Sequence, residues 1–172
     1  MSREMIYPYK NSVESVRRNS MGKILKIFIA AKGKPPTQKI NVDVIANRGI
    51  VGDRYYSGEG TFSTKLKGNP KSEITFIACE EIDKFNASQE ANLSYGELRR
   101  NIITQAVDLN ALVGKRFKIG DIEFEGIETC EPCAHLASTV HPKVLPHLVN
   151  RAGLRAAILS SGELKTGTEF SL

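Results

Sequence analysis

The sequence predicts a β-rich α+β fold, a closed or partly closed barrel of short, mostly antiparallel strands with a few helical insertions. Three observations carry this reading. Short alternating apolar segments recur along the 172 residues, and breaks rich in glycine and proline separate them. No regular alternation of strand with long helix is present, as a parallel α/β sheet would require. A hydrophobic content of 41% is enough for one core in a chain of this size.

Taken in order, Lys23 to Ala31 and Lys39 to Ala46 alternate as strands, and the intervening loop, Lys32 to Thr37, makes them a hairpin or a sheet corner. Gly49-Ile50-Val51-Gly52-Asp53-Arg54 interrupts the pattern. The stretch Ser57 to Asn69, with Gly58, Gly60 and Gly68, predicts a long mobile loop. Glu73 to Ala78 is a compact apolar strand. Glu80 to Phe85, acidic early and apolar at helical spacing, predicts a short helix. Ser94 to Arg99 forms a helical turn leading into Asn101 to Thr104. Gly120-Asp121 between Arg116 to Ile119 and Ile122 to Ile127 is a tight-hairpin signal. Pro142 to Arg151 places Val144, Leu145, Leu148 and Val149 on one helical face, with Gly153 as the stop. Strands at Leu154 to Leu159 and Glu169 to Leu172, around a turn at Ser160 to Glu163, finish the chain. Residues 1–21 read as a polar N-terminal extension and 22–172 as the domain.

Composition narrows the function classes. No segment approaches the roughly 20 apolar residues of a membrane span, and a cytoplasmic protein without membrane attachment is expected. Lys and Arg exceed Asp and Glu by 24 to 19, a formal charge of +5. The basic residues are scattered, adjacent only in the pairs Arg17-Arg18, Arg99-Arg100 and Lys115-Arg116, and tryptophan is absent, so a small anionic ligand fits the excess better than nucleic acid. Three cysteines do not make a disulfide framework.

The chemistry concentrates at Cys130-Glu131-Pro132-Cys133, expected in a loop at a sheet edge. Free backbone amides at such an edge favour thiolates, and thiolates attack, carry sulfur or bind soft metals. Cys79, within an apolar run, reads as a buried small hydrophobe. A zinc site assembled from Cys130, Cys133, His135 and either His141 or His147 would have irregular spacing. A thioredoxin-like dithiol would require a βαβ surround that the pattern does not supply. Both readings stay open at this point. Gly52-Asp53 is either a ligand-approaching turn or an ordinary loop closure. Arg99-Arg100-Asn101 outlines an anion site, because a guanidinium grips oxyanions through a rigid fork and an asparagine offers donor and acceptor together. Alternation at a strand start would let one arginine face a pocket while the other is solvated.

Together these segments resemble the MOSC domain, found at the C-terminus of molybdenum cofactor sulfurases and in small stand-alone bacterial proteins. The resemblance runs through Gly49-Ile50-Val51-Gly52-Asp53, Glu73 to Ile77, Arg99-Arg100-Asn101-Ile102, Asp108 to Phe117, Ile119-Gly120, Cys130-Glu131-Pro132-Cys133, Gly153-Leu154-Arg155 and Gly162 to Phe170. It implies a β-barrel that binds the molybdenum cofactor (molybdopterin), with Cys133 as catalytic residue and metal ligand or as persulfide carrier. Gly52, Asp53, Arg100, Asn101 and Arg155 are the residues it implies for cofactor binding. The activity implied is reduction of N-hydroxylated small-molecule substrates, with electrons from a separate redox protein, or transfer of cofactor sulfur. Alternatives are a non-catalytic sulfur or cofactor carrier and, further off, a zinc-binding structural module. Pyridoxal phosphate enters only by family association, on a partner cysteine desulfurase, since no lysine here stands in a Schiff-base motif. Many members carry a His-Gly-Gly element after the Gly-Asp turn, whereas Ser57 to Lys67 contains no histidine.

Overall fold

Residues 22–172 are described by a computed structural model of the protein; the polar extension expected over 1–21 lies outside them. The first strand, β1 (Lys23–Ile29), buries Ile24 and Ile27 and turns back into β2 (Thr37–Lys39) as an antiparallel hairpin. A single strand was expected from Lys39 to Ala46, but the chain turns a corner at Ile40, which is left exposed. Past that corner β3 (Asn41–Ile45) joins a second sheet and points Val42 and Val44 into the core. A two-residue strand follows, β4 (Gly49–Ile50). Residues 51–69 form successive turns without a strand or helix, then a single 3₁₀ turn at Pro70–Ser72 leads into β5 (Ile74–Ala78).

Helix α1 (Cys79–Gln89) runs beyond the expected end at Phe85, and Glu90, in the left-handed region at φ 51°, terminates it. Next come β6 (Ile102–Gln105), β7 (Arg116–Ile119) and β8 (Ile122–Thr129), the last two forming the hairpin predicted around Gly120-Asp121. The short helix α2 (Ala134–Thr139), directly after the second cysteine of the motif, was not foreseen.

The amphipathic helix expected over Pro142 to Arg151 shrinks to α3 (Val144–His147). Val144 and Leu148 are buried, whereas Leu145 and Val149 are 40% and 51% exposed. Residues four apart share a stripe, and only that one stripe meets the core. Pro146 supplies no backbone donor, and Asn150 at φ 61° turns the chain toward β9 (Leu154–Ile158). Strands β10 (Gly162–Lys165) and β11 (Phe170–Ser171) complete the fold.

The larger sheet has the order β11-β7-β8-β9-β5-β6-β1-β2, and the smaller β10-β3-β4. Every pairing is antiparallel except β5 with β6, the pair joined by the crossover through α1. The large sheet curls until its two ends meet. Lys23 bridges Glu169, and Phe170 N donates to Gly22 O at 2.7 Å. Inside lie Phe76, Phe117, Phe124 and Phe170 in edge and stacked contacts. Successive residues of the central strands face opposite ways, so Ile77 and Ile103 meet a second apolar layer with Ile82, Phe85, Leu136 and Val144. Burial on both faces explains the unbroken apolar runs of β5 and β6. Among the described residues, no helix is long and apolar enough to cross a membrane.

One glycine binds the barrel to the cysteine loop. Gly153 sits at φ 114°, and a Cβ there would lie 1.8 Å from Phe76 O. Gly153→Ala should therefore force β9 away from β5 and cost more than about 2 kcal/mol, read as a lowered urea midpoint.

Candidate functional site

Backbone bonding decides how the two cysteines differ. Cys130 follows the end of β8, donates its N–H to Gly153 O at 2.7 Å, and accepts on its carbonyl from Arg100 Nη2 at 3.1 Å. Its side chain is 1% exposed, and Pro132 beside it is buried. The chain then turns Cys133 to the N-cap of α2, half-buried, where Sγ accepts from Leu136 N at 3.5 Å. Amide donors of this kind are the ones that tune a metal-bound sulfur. All three cysteines are free thiols. Cys79, buried at the first position of α1 beside Glu80 and Asp83, has its thiol pushed up to about 12 by burial first and by those carboxylates second. It is inert packing, as the apolar context predicted.

Cys133 faces a cavity of about 350 Å³. Six cationic side chains line it, Arg54, Lys65, Lys71, Arg99, Arg100 and Arg155, against the two carboxylates of Glu128 and Glu131. Glu128 is engaged with Lys71 Nζ at 2.6 Å and lies 4.0 Å from Arg155 Nε, and Glu131 accepts from Asn150 N. The cavity is thus a site of positive potential with a sulfur in its wall, suited to an anion with a soft metal.

Of the residues singled out in the sequence, Arg99, Arg100, Asn101, Cys130, Cys133, His135 and Arg155 line this cavity, while Gly52 and Asp53 do not. Arg100 is buried with each guanidinium nitrogen spent on a carbonyl: Nε on Ala152 O at 2.8 Å, Nη1 on Leu98 O and Nη2 on Cys130 O, both at 3.1 Å. Neither arginine is simply solvated, as alternation had suggested for one of them. Asn101 accepts from Thr75 N and Oγ1 on Oδ1 and directs Nδ2 to Phe28 O. Gly52, at φ 87°, allows the turn that drops Asp53 inward. There the Asp53 carboxylate accepts from Ala30 N and Tyr55 N, each at 3.1 Å, and lies 3.6 Å from Arg54. Asp53 therefore acts on the cavity through its neighbour. Arg155 donates to Lys71 O at 3.0 Å.

Sequence reasoning passed over Arg54, Lys65 and Lys71 as cavity residues and named Arg99 only as one of a pair. Arg54 was discoverable as the side chain delivered by the Gly52-Asp53 turn, and it stacks over Tyr55 at 4.9 Å. Arg99 is half-buried at φ 58°, and its guanidinium reaches only Lys34 O, at 3.3 and 3.4 Å. Burial, and next the charge of Arg54, hold its pKa below the usual arginine value. That is the signature of cations held close without full neutralisation. The zinc reading loses its ligands: among the described residues no group of three or more His, Cys, Asp or Glu could hold a metal ion. His141 instead packs edge-on against Phe85 and accepts from Lys143 N on Nδ1.

Comparisons with known proteins agree with this architecture. The family model of the MOSC domain matches residues 63–171. The crystal structure of the YuaD protein from Bacillus subtilis superposes with a TM-score of 0.74 at 17% identity, covering 87% of this chain and 94% of that one. The YiiM structure from Geobacillus stearothermophilus gives 0.67 at 14%, covering 88% and 74%. That of YiiM from Escherichia coli gives 0.54 at 14%, covering 86% and 68%. At these identities the likeness concerns the fold. No curated protein matches the chain significantly. Since the family model spans well over half of the sequence, the chain belongs to the MOSC domain family.

Proposed function

We propose that this protein binds the molybdenum cofactor in the cavity beside Cys133 and reduces N-hydroxylated small molecules with it. One observation carries the reading: half-buried Cys133, with buried Cys130 beside it, lines a cavity whose charged lining among the described residues is six cations to two carboxylates. The MOSC family is associated with that cofactor, and the donor set fits it. A thiolate suits a soft metal, and Arg54, Arg99, Arg155, Lys65 and Lys71 suit the phosphate of the pterin. When bound, the cofactor supplies two-electron redox chemistry at its metal.

The chain's own residues hold, orient and supply protons. Cys133 Sγ would ligate the metal, with Leu136 N fixing the sulfur's direction. Arg100 keeps the Cys130–Cys133 loop in place with three of its five N–H donors and adds its charge to the cavity wall. Reduction of an N-hydroxylamine takes up two electrons and two protons and yields an amine and water. A separate redox protein is the expected electron source. His135, exposed on the first turn of α2 and lining the cavity, is placed to relay protons from solvent.

A second reading keeps the cofactor site but assigns Cys133 to sulfur transfer, accepting a sulfane sulfur from the persulfide of a partner desulfurase. The contrast between half-buried Cys133 and buried Cys130 favours it, since no accessible neighbouring thiol would discharge the new persulfide. The test is anaerobic purification from a host that makes the cofactor, followed by metal and pterin analysis. The protein is then given a chemical reductant and benzamidoxime. Product beyond one equivalent of protein supports the reductase, and molybdenum without turnover supports the carrier. Zinc without molybdenum sinks both.

A further inference from the structure

A second cavity, of about 620 Å³, adjoins the first and shares Arg54, Thr61, Arg99 and His135 with it. Cys133 belongs to the first alone. The second adds Lys32 and Lys34 from the β1–β2 loop, and its one carboxylate among the described residues, Glu59, accepts from Ser57 Oγ. The loop is not a loose fringe. Arg99 donates to Lys34 O, Lys34 N donates to Ala31 O, and Arg54 N donates to Ala30 O at 2.9 Å. The partition between the two cavities is thus a pair of guanidinium groups, with two ammonium groups on its far side. Asp53 lies 3.6 Å from Arg54 and offsets Arg99 only from a distance, and the one hydrogen-bond acceptor of the Arg99 guanidinium among the described residues is the backbone carbonyl of Lys34.

We infer that the second cavity is a substrate chamber that selects molecules bearing an anionic group, a carboxylate or phosphate, on the side away from the nitrogen presented near Cys133. This rests on the cofactor reading above for the identity of the reacting end. The anion preference itself follows from Lys32 and Lys34, which the first cavity does not share, with one engaged carboxylate against them among the described lining residues. A ligand entering here passes His135 and Thr61 before reaching the sulfur, so the charged end remains at Lys32 and Lys34, which line this chamber alone, while the neutral end advances.

The experiment compares 4-carboxybenzamidoxime with uncharged benzamidoxime on the apo and cofactor-loaded protein, by calorimetry for binding and by KM for turnover. Wild type should favour the carboxylate about tenfold, the scale of one well-placed charge contact. K32E/K34E should bring the ratio to about one or below, and K32Q/K34Q to an intermediate value. Molybdenum and pterin content should be unchanged in both, because neither lysine lines the first cavity. Equal binding of the two probes by wild type would overturn the inference, as would a preference that survives K32E/K34E. A fall in cofactor content in that variant would also overturn it, by assigning the chamber to the cofactor. If wild type retains no molybdenum at all, the cofactor reading fails, while the probe ratio on apo protein still decides the chamber.

Discussion

Cys133→Ser should abolish molybdenum retention and leave the fold as stable as wild type or slightly more so. Serine keeps the shape and is a better N-cap than cysteine, so Leu136 N retains an acceptor and α2 its start. What is lost is the soft, ionisable donor, and an alkanol oxygen does not replace a thiolate at such a metal. Elemental analysis together with a thermal melt checks both halves at once. Molybdenum at wild-type stoichiometry in Cys133→Ser would remove the residue from the metal site, and a large drop in the melting temperature would reassign it to structure. Cys130→Ser should do the opposite: it places a hydroxyl in a site that is 1% exposed, and it should cost stability, about 1–3 kcal/mol, before it costs metal.

Arg100→Ala should destabilise the protein by about 3–5 kcal/mol, because it strands three buried carbonyl acceptors that a single planar cation now serves. Those acceptors lie at Leu98 before β6, Cys130 after β8 and Ala152 before β9, so the variant loosens three strand ends together with the cysteine loop. Arg100→Lys should recover little, since an ammonium cannot reproduce the fork. Arg99→Ala is the counterpart. It should cost stability no more than about 1 kcal/mol, removing two long bonds to one exposed carbonyl, while weakening cofactor retention several-fold. Denaturant midpoints and cofactor content, measured on all three variants, separate anchoring from binding. An Arg100→Ala protein of wild-type stability would contradict the anchoring role.

Adjacent arginines illustrate where sequence reasoning stops. That Arg99-Arg100-Asn101 marks an anion site follows from residue chemistry alone, but the resemblance pointed to Arg100 as the grip. Which arginine is free depends on two carbonyls 30 and 52 residues away and on the left-handed backbone of Arg99. Neither has a local signature. The barrel was legible because strand alternation and the Gly120-Asp121 turn are local signals. The corner at Ile40 and the exposure of Leu145 and Val149 depend on which neighbour a face meets, and an apolar periodicity describes a stripe without describing its partner. Helix α2 stayed hidden because its six residues start from a cysteine cap, a side chain rarely found in that role. Lys65 and Lys71 were illegible for a simpler reason: lysines in and beside a glycine-rich loop look the same whether they line a cavity or face water.

The route by which the wall of the cavity is assembled has a kinetic meaning. Arg54, Lys71, Arg99, Cys133 and Arg155 come from five separate stretches of chain, and the strand that presents Arg155 pairs with both β5 and β8. The ends of the barrel join only when Glu169 and Phe170 reach Gly22 and Lys23. Contacts of such sequence separation form late and together, because each requires a long loop to close first. A growing chain that lacks its last ten residues has every charged and sulfur group of the site but no closed barrel to hold them in register. Loading with a large anionic ligand therefore belongs to the finished domain, and truncation at the C-terminus, far from the cysteine, should be as harmful to ligand capture as damage to the cysteine loop itself.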